Sequence, residues 1–262
     1  MSAGTAAAGG PAGETTLKVT LLSYTPDPER AVARAARLCY SDKGIAELDQ
    51  DMTAAEAAKM VRMLYSLGHL SPFEHVNFQF GVEGVSRVLT HQLVRHRIAS
   101  YSQKSQRYVS ERGFEFVVPP SVAAVPEAAA RFRQVMGQLQ EAYAELAAAG
   151  IPKEDARFVL PNACETKIIV SMNARSLLHF FELRCCERAQ WEIRRLANAM
   201  LIEVRRVAPT IFARAGSPCV SLGICREGKM SCGRINRVKF PGTIHIAKGG
   251  ADAGQAGTKS GE

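Results

Sequence analysis

No stretch of this 262-residue chain approaches the roughly 20 consecutive apolar residues needed to cross a bilayer, so a membrane protein is not expected. The opening, MSAGTAAAGGPAGETT, lacks the basic start and hydrophobic middle of an export leader and reads as a flexible tail over residues 1–16. No internal repeat is visible. The marks of a disulfide framework are missing as well. The seven cysteines are odd in number and include the adjacent Cys185 and Cys186, which places the chain in a reducing cytoplasm. Cys219, Cys225 and Cys232 have five and six residues between them instead of the Cys-x-x-Cys pairs of zinc sites, and read as structural. His69 and His75 do not follow the His-Glu-x-x-His spacing, so no metal is expected. The basic run over residues 226–239 has no aromatic interleaving and reads as solvated surface, not as a nucleic-acid site.

What is present is the balance of a globular chain, with 47% hydrophobic and 22% charged residues. Lys and Arg number 33 against 25 Asp and Glu, an excess that suits phosphates, carboxylates or nucleic acid without choosing among them. Periodicity predicts mixed α/β structure. Strands are expected over residues 17–24, 76–82, 114–118 and 167–172. Helices are expected from Pro28 to about Cys39, and from the cap Thr53 to about Leu67 with Met60, Met63 and Leu64 on one side. A helix from about Val85 leads into Arg95, and a long one carries the stripe Phe132, Val135, Met136, Leu139, Tyr143 and Leu146 up to Gly150. Two more run from about 174 to 186 and 188 to 207. From about Lys248 the chain is rich in Gly, Ala and Ser and reads as disordered.

Chemistry concentrates between Arg95 and Tyr108, where fourteen residues hold four cations, three serines, two amides and a histidine. Guanidinium groups bind phosphate oxygens in pairs, and hydroxyls and backbone amides complete an anion cradle. Composition alone does not separate such a cradle from a basic helix end answering the helix dipole. Companion motifs do. Arg95-His96-Arg97 is followed after seven residues by Ser105-Gln106-Arg107, with Pro72-Phe73-Glu74-His75 before it and Asn173-Ala174-Arg175-Ser176 and Ala189-Gln190-Trp191-Glu192 after. This ordered set, over roughly residues 17–212, resembles the flavin-dependent thymidylate synthases, the ThyX family.

The resemblance implies an α+β fold: a single mixed domain over 17–215 with a central sheet flanked by long helices, and a cysteine-containing extension over 216–262. It implies reductive methylation of dUMP to dTMP, with methylenetetrahydrofolate as carbon donor, FAD as hydride source and NADPH as reductant, in a homotetramer with shared active sites. His69, Ser71, Arg95, His96, Arg97, Gln103, Asn173 and His179 are then expected at FAD. Gln92, Gln103, Lys104, Ser105, Gln106 and Arg107 are expected at dUMP, with Arg157 supplied by a neighbouring subunit. Arg184 takes the catalytic role, lying against the pyrimidine where negative charge develops. The chain departs from the family's pattern at Ser102-Gln103, where Asn-Glu is common, and at His179 and Arg188. A noncatalytic basic module that binds nucleotides or nucleic acid is the competing class.

Overall fold

A computed structural model describes residues 13–48, 50 and 52–238, and residues 1–12 and 239–262 of the expected tails lie outside the described residues. The chain builds an antiparallel sheet ordered β1-β2-β4-β3, from β1 (Lys18–Tyr24), β2 (Asn77–Ser86), β3 (Ser100–Gln103) and β4 (Glu165–Asn173). Alternation decides its faces. Phe78, Phe80 and Val82 on β2 stand opposite Met172, Val170 and Ile168 on β4, and all six are buried.

The helices are α1 (Pro28–Leu38), α2 (Ala54–Leu67), α3 (Arg87–Leu93), α4 (Pro120–Ala123), α5 (Pro126–Ala148), α6 (Lys153–Ala156), α7 (Ala174–Arg184), α8 (Trp191–Val207) and α9 (Pro218–Ser221). In α8, Ile193, Leu196, Met200 and Val204 recur at helical spacing, and with Leu177, Phe180 and Phe181 of α7 they join the β2 and β4 residues in one core. Burying each such side chain contributes roughly 1.5–3 kcal/mol. Among the described residues, no helix is long and apolar enough to cross a membrane.

The α+β architecture matches the expectation, with local corrections. Thr53 and Glu56 form a reciprocal capping box on α2, and Gly68, at φ 74°, closes it as predicted. Its buried face, however, is Ala57, Val61 and Leu64, while Met63 is half exposed. Val85 and Ser86 end β2 and do not begin α3, because Ser86 takes the N-cap and accepts from the Leu89 N–H. The strand expected over 114–118 is absent. Phe116 makes only single bridges to Glu14 and Cys164, its neighbours Pro119 and Pro120 have no N–H to extend a ladder, and Phe114 and Phe116 instead fill a small core against Met136 of α5. Strand β3 was not expected.

Gly13 to Thr16, counted with the tail, lie along Phe116, where Glu14 pairs with Arg133. Gly84 shows how close this segment comes. It has φ 67°, and a Cβ there would sit 1.9 Å from the Thr16 carbonyl oxygen, so only glycine fits.

Candidate active site

Where α3 ends, its buried residues Leu89 and Leu93 anchor it in the core and release Arg95, His96 and Arg97 toward solvent. The start of α3 is held just as firmly. The buried Glu192 carboxylate accepts from the Ser86 N–H at 2.7 Å and from its hydroxyl, and burial raises the Glu192 pKa against those bonds. The Tyr101 hydroxyl lies 2.9 Å from the Leu93 carbonyl and 2.8 Å from that of His96, donating to one or the other, which ties the loop after α3 to β3. Burial pushes this phenol up to about 12.

The loop forms one wall of a cavity of about 850 Å³, near the upper end of the roughly 300–1,000 Å³ found for ligand sites. Opposite stands α7, whose N-cap Asn173 accepts from the Ser176 N–H at 2.8 Å. Arg184, the last residue of α7, donates from Nε to His96 Nε2 at 2.9 Å. His96 must therefore be neutral with its proton on Nδ1. Burial, then Arg184 and His179, lower its pKa to about 4. Burial also lowers the pKa of Arg184. Phe180 packs edge-on to the His96 ring at 5.0 Å.

Six residues expected at the flavin or the pyrimidine thus meet in one cavity: Arg95, His96, Arg97, Asn173, His179 and Arg184. His69 and Ser71 are exposed beside it, and their neighbours Gly68 and Leu70 line it. Arg95 and Arg97 also border a shallower cavity of about 710 Å³ with His91 and Val94. Among the described residues, Arg95, Arg97 and Arg184 pair with no carboxylate, while Arg175 on the same wall pairs with Glu74.

The remaining expected ligands lie outside the large cavity. Gln103 donates to Thr90 and Thr166, both at 3.1 Å, and Lys104 reaches Glu111 at 3.0 Å and Glu165 at 3.5 Å. Gln106 contacts the Cys164 sulfur, and Ser105 accepts from the Arg107 N–H. Arg107 pairs with the Glu154 carboxylate, and Arg157 donates to the Glu154 carbonyl at 3.0 Å, so both guanidiniums gather at one residue. Gln92 is half-buried on α3.

Sequence reasoning missed part of the wall. Glu182 follows His179 and Ser176 at three-residue steps on α7, a face that periodicity alone reveals. Gly216, Ser221 and Leu222 also line the cavity, so the segment after 215 contributes to its wall. No local signal marks them, because the chain returns to the site only through its fold. Two buried thiols are poorly suited to act as nucleophiles: burial pushes both Cys164 and Cys185 up to about 12.

The family model described as "Thymidylate synthase complementing protein" matches residues 20–210. A flavin-dependent thymidylate synthase of Geobacter sulfurreducens is 57% identical over 225 residues, covering 85% of this chain and 97% of the relative. This chain belongs to the flavin-dependent thymidylate synthase family. A family member from Clostridium tetani is 51% identical, covering 85% of this chain and 96% of its own length, and one from Pyrococcus furiosus is 43% identical over 80% and 90%. The family's fold extends to a solved structure of PolB from Streptomyces cacaoi, a UMP/dUMP methylase bound with 5-Br dUMP. It superposes with a TM-score of 0.68 at 24% identity, over 76% of this chain and 94% of that chain. The membership expected from the motifs is borne out.

Proposed function

We propose that this chain converts dUMP to dTMP, with the carbon from methylenetetrahydrofolate, the hydride from FAD and the electrons from NADPH. The observation that carries this reading is Arg184, a guanidinium held through Nε by neutral His96 in a cavity whose other free cations are Arg95 and Arg97. The donor set fits FAD. Arg95 and Arg97 suit a pyrophosphate, the polar edges of Asn173 and His179 with His69 and Ser71 nearby suit a flavin ring, and Met172, Leu178 and Leu183 supply apolar wall. FAD, when bound, supplies the hydride.

With Nε engaged by His96, Arg184 keeps its Nη groups for the pyrimidine, where they stabilise the negative charge that makes C5 nucleophilic. A donor fixed before the reaction pays no reorganisation cost at the moment charge develops. Neutral His96 fixes the guanidinium without cancelling its charge. Ser105, Gln106, Arg107 and Gln92 bind the nucleotide, with Arg107 as the phosphate partner. Gln103 and Lys104 contact it from the positions in which Thr90, Thr166, Glu111 and Glu165 hold them.

The assembly is a homotetramer in which Arg157 serves a neighbouring subunit's site. Support comes from its surroundings: Arg107, Tyr108, Arg157 and Phe158 are all exposed, Phe158 by 83%, on two segments that each bear a residue expected at dUMP. The seven free thiols fit a reducing cytoplasm.

Purified protein should be yellow from bound FAD, oxidise NADPH faster on addition of dUMP, and form dTMP. Colourless protein that takes up no FAD, yet binds DNA with a steep salt dependence, would replace this reading with the basic binding module.

A further inference from the structure

Four cysteines from separate parts of the chain line one small cavity. Cys186 lies just past α7, Cys219 is on α9, and Cys225 and Cys232 flank the short 3-10 turn Gly228–Met230. The cavity measures about 20 Å³. A space of roughly 10–15 Å³ holds a single water, so this one is of the size of one small ion. The grouping is selective, since Cys185, next in sequence to Cys186, packs into the main core. Arg226 and Arg234 line the same cavity. Glu187 and Glu227 line it too, and both guanidiniums are held in ion pairs, Arg226 with Glu182 and Arg234 with Glu187.

We propose that Cys186, Cys219, Cys225 and Cys232 bind one tetrahedral divalent ion of the zinc class. Soft sulfur donors select such ions, and a closed four-thiolate shell makes the site structural. Binding releases the thiol protons to solvent and forms four metal–sulfur bonds with no change of oxidation state. In the structure the thiols rest against hydroxyls, Cys225 on Ser231 at 3.4 Å and Cys219 beside Ser217 at 3.2 Å, and among the described residues no three metal-binding side chains yet converge. Closure falls to the 3-10 turns Gly228–Met230 and Arg234–Arg237, which have no buried residue to repack.

The ion fastens the strap formed by residues 216–238. Gly216, Ser221 and Leu222 wall the large cavity, and Arg226 pairs at 2.6 Å with Glu182 in that wall. Further ion pairs, Arg234 with Glu187 and Arg188 with Glu227, lie along the same seam. The proposal does not depend on the reaction assigned to the cavity.

The test uses full-length reduced protein, loaded with zinc and desalted. Elemental analysis should find about one zinc per chain, and cobalt in its place should give the thiolate charge-transfer band of a tetrahedral sulfur site. Cys186→Ser, Cys225→Ser and Cys232→Ser should each weaken zinc binding by at least about 10–100-fold, while Cys39→Ser, an exposed thiol elsewhere, should not. In the unaltered protein, zinc should shield the exposed Cys225 and Cys232 from a thiol reagent and slow tryptic cleavage at Arg226 and Lys229. Flavin colour, read on the same samples, reports separately on the large cavity. Reduced protein that retains no stoichiometric zinc would overturn the site, as would serine variants that keep it or an iron-sulfur chromophore on these cysteines.

Discussion

Two halves of one short segment end in opposite environments. Residues 95–97 leave α3 and stand in a large cavity, with Arg95 and Arg97 unpaired by any described carboxylate. Residues 103–106 turn into the body of the protein, where Lys104 lies between Glu111 and Glu165 and Gln103 between two threonines. A buried charge needs a partner in place, because desolvation penalises it whether or not a ligand arrives. A charge at the edge of a cavity keeps its hydration until a ligand replaces the water. The first half therefore carries unpaired cations at the edge of a cavity, which our proposed function assigns to an anion, and the second ties β3 to β4. Arg184 and His96 lie between the two extremes: desolvated, yet matched by a neutral acceptor that leaves the positive charge uncancelled.

The largest effect is expected from the second half. Burial works against the Lys104 charge, but Glu111 and Glu165 more than offset it and raise its pKa, while burial raises that of Glu111 despite Lys104. Lys104→Ala leaves two buried carboxylates facing each other and should cost about 3–5 kcal/mol in urea unfolding. A loss below about 1 kcal/mol would show that this half is not a structural tie.

Next comes Arg184→Ala. Thymidylate formation should fall about 10²–10³-fold, or roughly 2.7–4 kcal/mol, with the protein still yellow. Turnover at the unaltered rate would remove Arg184 from the chemistry.

A smaller effect separates cap from ligand contact at Asn173. Asn173→Ala should lose about 0.5–2 kcal/mol of stability through the α7 cap, whereas Asn173→Asp keeps the cap and changes only the charge in the cavity. If Asp restores flavin affinity as fully as it restores stability, Asn173 acts on the cavity only through the helix.

The mildest test is pH. With its folded pKa lowered to about 4 by burial, Arg184 and His179, His96 favours folding in its neutral form. That contribution is complete above the ordinary imidazole value near 6.5 and is lost as pH falls through about 4. In the same fall His96 loses its acceptor for Arg184, so turnover attributable to this pair should stay flat through neutral pH and decline toward 4. An imidazole NMR titration with its midpoint near 6.5 would contradict the buried neutral form.

Much of the fold was legible where signals are local. The Thr53–Glu56 capping box, the stripe of α8 and the alternation of β2 each depend on neighbours within a few residues. Strand β3 was not, since Ser100-Tyr101-Ser102-Gln103 has no apolar alternation and becomes a strand only by pairing with β4. In the site, Arg95 to Arg97 and Asn173 were legible from ordered motifs, His179 and Arg184 from the wider resemblance, and the structure brings them together. The inward turn of Gln103 and Lys104 was not, because a strand's facing depends on the register it adopts. Nor was the strap, or the meeting of Cys186 with three cysteines more than thirty positions later in the chain, whose spacing alone argued for no metal.

By itself, then, the sequence determined the family, the positive charge, the helices with strong periodicity and the residue types available for chemistry. All of these are local or additive properties of the chain. Tertiary structure alone decided which cations remain unpaired, that His96 is neutral and accepts from Arg184, and which distant thiols share a cavity. Those outcomes follow from desolvation and from contacts between remote segments, and both exist only once the chain has packed.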